Sequence, residues 1–170
     1  VPARPMATDA AESARQHFIL RFAFGTTAAF VICEFMGWQP AGLAPVLAAV
    51  LLGNLPASPP PKIGLVLVLV MALGAWFAFF LSTWLSPAPQ VLVVALAFVL
   101  FLAFAGLAQG KGQLPLTLLL ICVAVVPVVT LTVSQYAGIL PGLFVRAMAL
   151  GVIFTWIGFA IWPLASPKAP

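Results

Sequence analysis

Charged side chains are scarce in this sequence. The 170 residues include seven Lys or Arg and three Asp or Glu, so that 6% are charged while 64% are hydrophobic. A water-soluble domain has about 25% charged residues. This scarcity excludes a soluble domain and predicts an integral membrane protein. We expect no second domain within these residues, because six membrane spans of about 20 residues each account for most of them.

Residue types that carry enzyme, metal or redox chemistry are also rare. The one His and two Cys are His17, Cys33 and Cys122, with no CxxC pair and no cluster of metal ligands. No P-loop of the GxxxxGK[ST] type is present, and no nucleophile has a base beside it in the sequence. The basic residues are scattered and form no nucleic-acid-binding patch. We therefore expect no enzyme activity, no cofactor, no metal and no nucleic-acid partner.

Long apolar runs, separated by proline and glycine, predict an all-α fold with six transmembrane helices. The predicted spans are residues 17–36, 38–55, 63–85, 90–108, 114–135 and 141–164. Residues 17–164 then form a six-helix transmembrane domain. Residues 1–16 are predicted to be a mostly disordered N-terminal tail on the cytoplasmic side, in which Asp9-Ala-Ala-Glu12 can start a short helix. Residues 165–170 are predicted to be a short cytoplasmic C-terminal tail.

The distribution of basic residues predicts the orientation, because Lys and Arg in short connectors are retained in the cytoplasm. With six spans and both termini inside (N-in/C-in), the cytoplasmic side holds Arg4, Arg15, Lys62, Lys111 and Lys168. The three predicted outer connectors, at residues 37–40, 86–89 and 136–140, contain no Lys or Arg. A re-entrant second segment would place Lys62 and Lys111 outside, so we predict that span two crosses completely, although it could be broken.

Ionisable side chains within apolar runs are the candidate pathway residues, since a charge at the centre of a membrane helix costs about 2.5–3.5 kcal/mol. Arg21 lies early in span one, where it is either an anchor that reaches the interface or an anion contact at the cytoplasmic mouth. Glu34 and Arg146 are predicted at similar depth in the outer half. We expect them to face the bundle interior and to pair or share a polar cavity. The alternatives are a static ion pair that fixes spans one and six, or two side chains that both reach outward to the interface. His17 is expected at the membrane interface rather than in a proton relay.

The first two spans form a hairpin that resembles sites built by transporters. A full-length helix followed by a short helix interrupted by proline, here Pro45, is a common way to place a polar site at mid-membrane. Asn54, at the end of span two, is a further candidate for substrate binding, and a helix-capping role is its alternative.

The hairpin also resembles a known family. The segments Leu20-Arg-Phe-Ala-Phe-Gly25, Gly37-Trp38 and Leu43-Ala-Pro-Val-Leu-Ala-Ala-Val-Leu-Leu52 resemble the start of the membrane domain of the fusaric acid resistance (aromatic acid exporter) superfamily, closest to its compact, uncharacterised bacterial branch. The resemblance covers about residues 16–85. It implies that Arg21 is the family's early arginine. Beyond residue 85 only the hydropathy pattern is similar.

What the resemblance implies is efflux of aromatic or other organic acids across a bacterial inner membrane by a multi-pass protein. The proton gradient would drive this transport. Independently of the resemblance, the charge and predicted depth of Glu34 make it our candidate for the proton site. Partners would be the lipid bilayer, a second copy or second six-helix half, and a periplasmic membrane-fusion (adaptor) protein. Two alternatives remain open at this point: a passive anion channel formed by a dimer, and an accessory subunit without a substrate path.

Overall fold

The computed structural model describes residues 5–55, 57–110 and 112–163, and all regular structure in these residues is α-helical. The seven helices are α1 (Pro5–Phe35), α2 (Leu43–Asn54), α3 (Pro61–Leu85), α4 (Pro89–Ala108), α5 (Gln113–Thr132), α6 (Ser134–Ala137) and α7 (Leu140–Ile161). Five segments are long and apolar enough to cross a membrane: Glu12–Phe35 within α1, and helices α3, α4, α5 and α7. The chain is therefore a helical protein with the properties of a multi-pass membrane protein.

Some of the predicted features lie outside the described residues. These are residues 1–4 of the N-terminal tail, Lys111 of the fourth connector, the end of span six at residue 164, and the C-terminal tail 165–170. The basic residues Arg4 and Lys168, which entered the orientation argument, fall in the same parts.

The N-terminal region differs most from its prediction. Helix α1 is continuous from Pro5, twelve residues before the predicted start of span one. Residues 6–16 contain four Ala and no Pro or Gly, so nothing in them opposes a helix. A helix that is already formed also extends more easily than a new one starts. Most of the predicted disordered tail is thus the first three turns of α1.

The second helix is shorter than predicted. Helix α2 has 12 residues, about 18 Å at helical rise, whereas the hydrocarbon core of a bilayer is about 30 Å thick. Residues 36–42 form turns that include Gly37 at φ 65° and a cis peptide bond between Gln39 and Pro40. The predicted span 38–55 is therefore a short helix preceded by a turn segment.

The later helices agree with their predicted bounds more closely. Helices α3, α4 and α7 begin within two residues of the predicted positions. Predicted span five, 114–135, is divided between α5 and α6. Helix α5 continues past its internal Pro127, whose side chain is buried. The missing amide hydrogen of a proline leaves a preceding carbonyl without its helical partner.

The chain divides into two compact units. Unit 1 comprises residues 1–60 and 150–170, and unit 2 comprises residues 61–149. Within the described residues, unit 1 contains α1, α2 and the second half of α7. Unit 2 contains α3 to α6 and the first half of α7.

Small residues allow close helix packing within unit 1. A Cβ atom added at Gly151 of α7 would lie 3.3 Å from the backbone nitrogen of Ala48 in α2. A Cβ atom at Gly25 of α1 would lie 2.5 Å from Cδ1 of Leu52. Membrane helices commonly use glycine in this way. Lipid supplies no hydrophobic driving force for helix association, so the helices associate through the van der Waals contacts that close backbone approach allows.

Unit 2 is built around α5. Gly74 of α3 lies against Leu119 and Cys122, and Gly106 of α4 lies against Leu116. The Cys122 Sγ atom is 3.0 Å from the Met71 Sδ atom across the α3–α5 contact. Leu67, Met71, Ala75 and Ala78 form the buried face of α3, and their spacing of three or four residues is that of one helix face.

Candidate functional site

A buried arginine distinguishes unit 1. Arg21 of α1 is 5% exposed, although it lies within the apolar segment Phe18–Phe24. Helix α7 covers it: Cγ of Arg21 would lie 3.7 Å from a Cβ atom added at Gly158, and its Cζ atom lies 4.3 Å from the ring centroid of Phe159. The glycine leaves room for the arginine stem, and the aromatic face attracts the guanidinium.

The guanidinium of Arg21 is only partly hydrogen-bonded. Its Nε atom donates to the backbone carbonyl oxygen of His17 at 3.3 Å. Its Nη1 atom is buried and has no hydrogen-bond acceptor among the described residues. An unsatisfied buried donor costs about 1–3 kcal/mol, and more when the group is charged. The site therefore carries a hydrogen-bond donor that no acceptor of the described residues satisfies.

A cavity of about 480 Å³ lies beside this arginine. Its lining comes from α1, the C-terminal end of α2 and α7, and consists of Phe18, Arg21, Leu52, Gly53, Asn54, Leu55 and Phe159. The volume lies in the range of about 300–1,000 Å³ that is usual for small-molecule sites. The partial negative charge at the C-terminus of α2 offsets some of the cost of burying the guanidinium. Two phenylalanines and two leucines supply apolar surface around this single charge.

A second, shallower groove in unit 1 has a different character. It runs along α1 and is lined by Ala23, Phe24, Thr27, Ala28, Val31, Ile32 and Phe154. None of these residues is ionisable, and the Thr27 hydroxyl is the sole polar side-chain group among them. The groove therefore has no group that attracts an anion, and the Arg21 cavity is the better candidate site.

The predicted site residues fall in different places. Asn54 lines the Arg21 cavity, and its Nδ2 atom donates to the Val50 carbonyl oxygen of its own helix at 2.8 Å. The side-chain oxygen of Asn54 is the group of this amide that can accept a hydrogen bond from a ligand. Pro45 is in the first turn of α2, half-buried and outside the cavity lining.

Glu34 and Arg146 do not belong to the Arg21 cavity. Glu34 is near the C-terminal end of α1 in unit 1, and Arg146 is in the first half of α7 in unit 2. Both side chains are exposed. An exposed position is compatible with a polar cavity as well as with the bilayer surface. Their pairing therefore stays a prediction.

One contributor to the site was missed by sequence reasoning. Phe159, under the guanidinium, is one of many aromatic residues in apolar runs, and no sequence signal separates it from the others. His17, which the sequence analysis assigned to the membrane interface, does not line the cavity. Its Nδ1 atom is buried without a hydrogen-bond partner among the described residues.

Metal binding has no support from the arrangement of ligands. Among residues 5–55, 57–110 and 112–163, no three His, Cys, Asp or Glu side chains lie close enough together to hold a metal ion. The Arg21 cavity is lined instead by one cation, two phenylalanine rings and residues at the C-terminal end of α2.

Comparison with known proteins gives a family but no function. Residues 18–157 match the model of a family described as "Protein of unknown function (DUF2955)". The match covers most of the 170 residues, so the chain belongs to this family. No curated protein and no solved structure matches the chain. The matched range includes Arg21, Asn54 and both exposed charges, Glu34 and Arg146.

Proposed function

We propose that this member of the DUF2955 family exports organic anions across a bacterial inner membrane, with Arg21 as the group that binds the substrate's carboxylate. One observation carries the proposal. Arg21 is almost fully buried beside a cavity, and its Nη1 donor has no partner among the described residues. In a membrane protein, such a buried ionisable group commonly marks a substrate or ion pathway.

The chemistry of the cavity supports an aromatic or other apolar carboxylate as the substrate class. Guanidinium groups bind carboxylates through paired N–H donors, and these charge-assisted bonds are about twice as strong as neutral ones. Phe18, Phe159, Leu52 and Leu55 provide apolar surface for the rest of such a ligand. The substrate class agrees with the resemblance to the aromatic acid exporter superfamily, to which we propose that the DUF2955 chain is related.

The proposed arrangement in the membrane follows from the sequence. With both termini in the cytoplasm and α2 as part of a second crossing, the early part of α1 and the C-terminal end of α2 lie on the cytoplasmic side. The Arg21 cavity then opens toward the compartment from which an exporter loads its substrate. The membrane potential, negative inside, favours anion exit by about 2.3 kcal/mol per charge per 100 mV. We further propose coupling to the proton gradient, and assembly with a second copy and a periplasmic adaptor protein.

Flux of labelled benzoate tests the proposal. The purified protein is reconstituted into liposomes, and benzoate movement is measured with and without a pH gradient. We expect saturable flux that Arg21→Gln lowers about 10- to 100-fold, because the variant loses a charged hydrogen bond worth about 1.5–3 kcal/mol. The matched control is Arg15→Gln, which removes an exposed arginine from the same helix and should leave the flux unchanged.

The outcomes separate the competing functions. Arg21-dependent flux that increases with the pH gradient supports the coupled exporter. Arg21-dependent flux that ignores the gradient supports a passive anion channel instead. Absence of benzoate flux in the wild-type protein, with correct insertion confirmed, would exclude both and leave an accessory subunit. Glu34→Gln tests the predicted proton site in the same assay.

A further inference from the structure

We infer that the Arg21 cavity binds the headgroup of an anionic phospholipid from the surrounding bilayer, with the lipid phosphate on Arg21. The inference goes beyond the proposed function, because it requires that α1 lies in a membrane and not that the protein transports anything. The substrate and the lipid would compete for the same guanidinium. The observation behind it is the position of the cavity, which contains a buried charge and opens beside an exposed apolar surface.

The lining of the cavity divides into a buried wall and an exposed rim. Three lining residues are buried, namely Arg21, Leu52 and Phe159, and three are exposed, namely Phe18, Gly53 and Asn54. The Nη1 donor of the wall has no hydrogen-bond partner among the described residues. A ligand group that enters past the rim therefore reaches a wall whose charge still lacks an acceptor.

The surface of α1 beside this rim is apolar. Four large apolar side chains next to Arg21 in the sequence are exposed: Phe18, Ile19, Leu20 and Phe22. They belong to the segment Glu12–Phe35, which is long and apolar enough to cross a membrane. Consecutive helical residues point in directions about 100° apart, so α1 exposes apolar side chains on more than one side at this level. In a bilayer these side chains contact lipid, and the cavity rim at Phe18 is part of that contact.

Two of these rings extend the apolar surface from the cavity into the bilayer. The centroids of Phe18 and Phe22 are 6.1 Å apart, as expected for side chains four residues apart on one helix face. Phe18 belongs to the cavity rim, and Phe22 lies one turn nearer the middle of the span. A phospholipid with its phosphate at Arg21 can therefore pack an acyl chain against both rings, whereas a free phosphate ester cannot.

The polar groups of the cavity select the kind of headgroup. A guanidinium binds phosphate oxygens through charge-assisted hydrogen bonds. The Asn54 Nδ2 atom donates to the Val50 carbonyl oxygen at 2.8 Å, which leaves the Oδ1 atom on the rim as an acceptor. The matching headgroup thus has a negative phosphate and a hydroxyl donor, as in phosphatidylglycerol. A choline headgroup has a fixed positive charge and no donor, so the site disfavours it.

The proposed orientation places this lipid in the cytoplasmic leaflet. With the N-terminus in the cytoplasm, the early part of α1 and the end of α2 lie on that side of the membrane. Basic pockets between membrane helices on the cytoplasmic side bind acidic lipid headgroups in other proteins. The Arg21 cavity has the same elements, since helices α1, α2 and α7 enclose one cation.

Native mass spectrometry of the full-length protein tests the inference. The protein is purified in micelles of an uncharged detergent that contain equal amounts of phosphatidylglycerol and phosphatidylcholine, and the lipids that stay bound are counted. We expect phosphatidylglycerol to be enriched about 10- to 100-fold, the effect of one hydrogen bond to a charged group. An excess of glycerophosphoglycerol, which is the same headgroup without acyl chains, should not displace the bound lipid.

Variants assign the headgroup contacts. Arg21→Gln should abolish the enrichment of phosphatidylglycerol, and Arg15→Gln, at an exposed position of the same helix, is the matched control and should retain it. Phosphatidylmethanol is an anionic lipid without the headgroup hydroxyls. Asn54→Leu should lower the preference for phosphatidylglycerol over phosphatidylmethanol about fivefold, the effect of one neutral hydrogen bond. Circular dichroism confirms that the variants keep their helices.

Two results would overturn the inference. Equal retention of the two lipids, or enrichment that persists in Arg21→Gln, would show that lipid contacts the protein without a specific site. Displacement by glycerophosphoglycerol would show that the cavity binds a free phosphate ester and not a lipid.

The proposed function fails or stands separately from this inference. Arg21-dependent benzoate flux without lipid enrichment rejects the lipid site and leaves the proposed function intact. Arg21-dependent lipid enrichment without benzoate flux supports the lipid site and contradicts the proposed function.

Discussion

Units 1 and 2 differ in whether the polar groups that they bury carry a charge. Unit 1 buries Arg21 and leaves part of its guanidinium without a partner among the described residues. In unit 2 the described Lys and Arg side chains, Lys62 and Arg146, are exposed. The buried Ser82 of unit 2 donates its hydroxyl to the Ala78 carbonyl oxygen of its own helix at 2.7 Å. Unit 2 also buries a polar atom without a partner among the described residues, the hydroxyl oxygen of Thr130, but that group is neutral, whereas the corresponding group of Arg21 in unit 1 is charged.

This difference raises the question whether Arg21 is present for stability or for function. An arginine that is buried without a counter-ion lowers stability, and a residue of similar length without charge would pack more favourably. Proteins tolerate such groups where activity depends on them. Stability measurements on matched variants of both units can therefore test whether Arg21 is a functional residue or a structural one.

The largest effect is expected from removal of the buried charge. Arg21→Met should raise the free energy of unfolding by about 2 kcal/mol, because an unsatisfied charged donor is replaced by an apolar chain of similar length. SDS-induced unfolding followed by circular dichroism measures the change, and benzoate binding should be lost. Lys62→Met, at an exposed position of unit 2, is the control and should be close to neutral. A clear loss of stability in Arg21→Met would identify the arginine as a structural anchor.

The glycine contacts give the next largest effect. Gly151→Ala should lower the free energy of unfolding by about 1.5 kcal/mol, since the new Cβ atom meets the backbone nitrogen of Ala48 at 3.3 Å. Gly74→Ala in unit 2 should cost less, because its nearest neighbour is the end of the Leu119 side chain at 3.2 Å, which can rotate away.

Gly53→Ala is the control for these glycine variants, because no atom lies within 4 Å of an added Cβ there. Higher helix propensity should leave this variant as stable as the wild type or more so. The same SDS titration measures all three glycine variants. Equal losses in Gly151→Ala and Gly74→Ala would contradict the claim that α2 and α7 pack by direct backbone contact.

The smallest effect is expected from loss of the hydrogen bond that connects α7 to the segment following α2. The Trp156 Nε1 atom donates to the Pro59 carbonyl oxygen at 2.8 Å. Trp156→Phe removes this bond and should cost about 1 kcal/mol. Trp76→Phe, in an exposed position of unit 2, should cost less. Hydrogen exchange at the amide of Leu55, which lines the cavity, should become faster only in Trp156→Phe. Unchanged exchange in that variant would show that the hydrogen bond does not stabilise this part of the cavity.

Much of the helical framework could be predicted from the sequence, because apolar runs bounded by proline and glycine define membrane helices independently of tertiary contacts. Helix α3 ends at Leu85 and α4 at Ala108, as predicted. Helix α2 was predicted too long because residues 38–42 are apolar enough for a span, while their turn geometry depends on local backbone conformation. Helix α1 was predicted too short because the polar residues before the apolar run are as compatible with a helix as with a disordered tail.

The site was predictable only in part. A charge within an apolar run is visible in the sequence, and this signal selected Arg21 together with Glu34 and Arg146, of which Arg21 alone lines the cavity. Its burial depends on Gly158 and Phe159, which are more than 130 residues away and have no distinctive pattern.

The absence of a carboxylate beside Arg21 among the described residues of unit 1 has a consequence for selectivity. With no internal counter-ion to displace, the pocket of the proposed transporter would select solutes by the sign of their charge before their size or shape matters. Cations and zwitterions with a nearby ammonium meet repulsion from the guanidinium, whereas a lone anion restores electroneutrality. Amino acids should therefore compete poorly with their deaminated counterparts, so that phenylalanine is rejected where phenylpropionate is accepted.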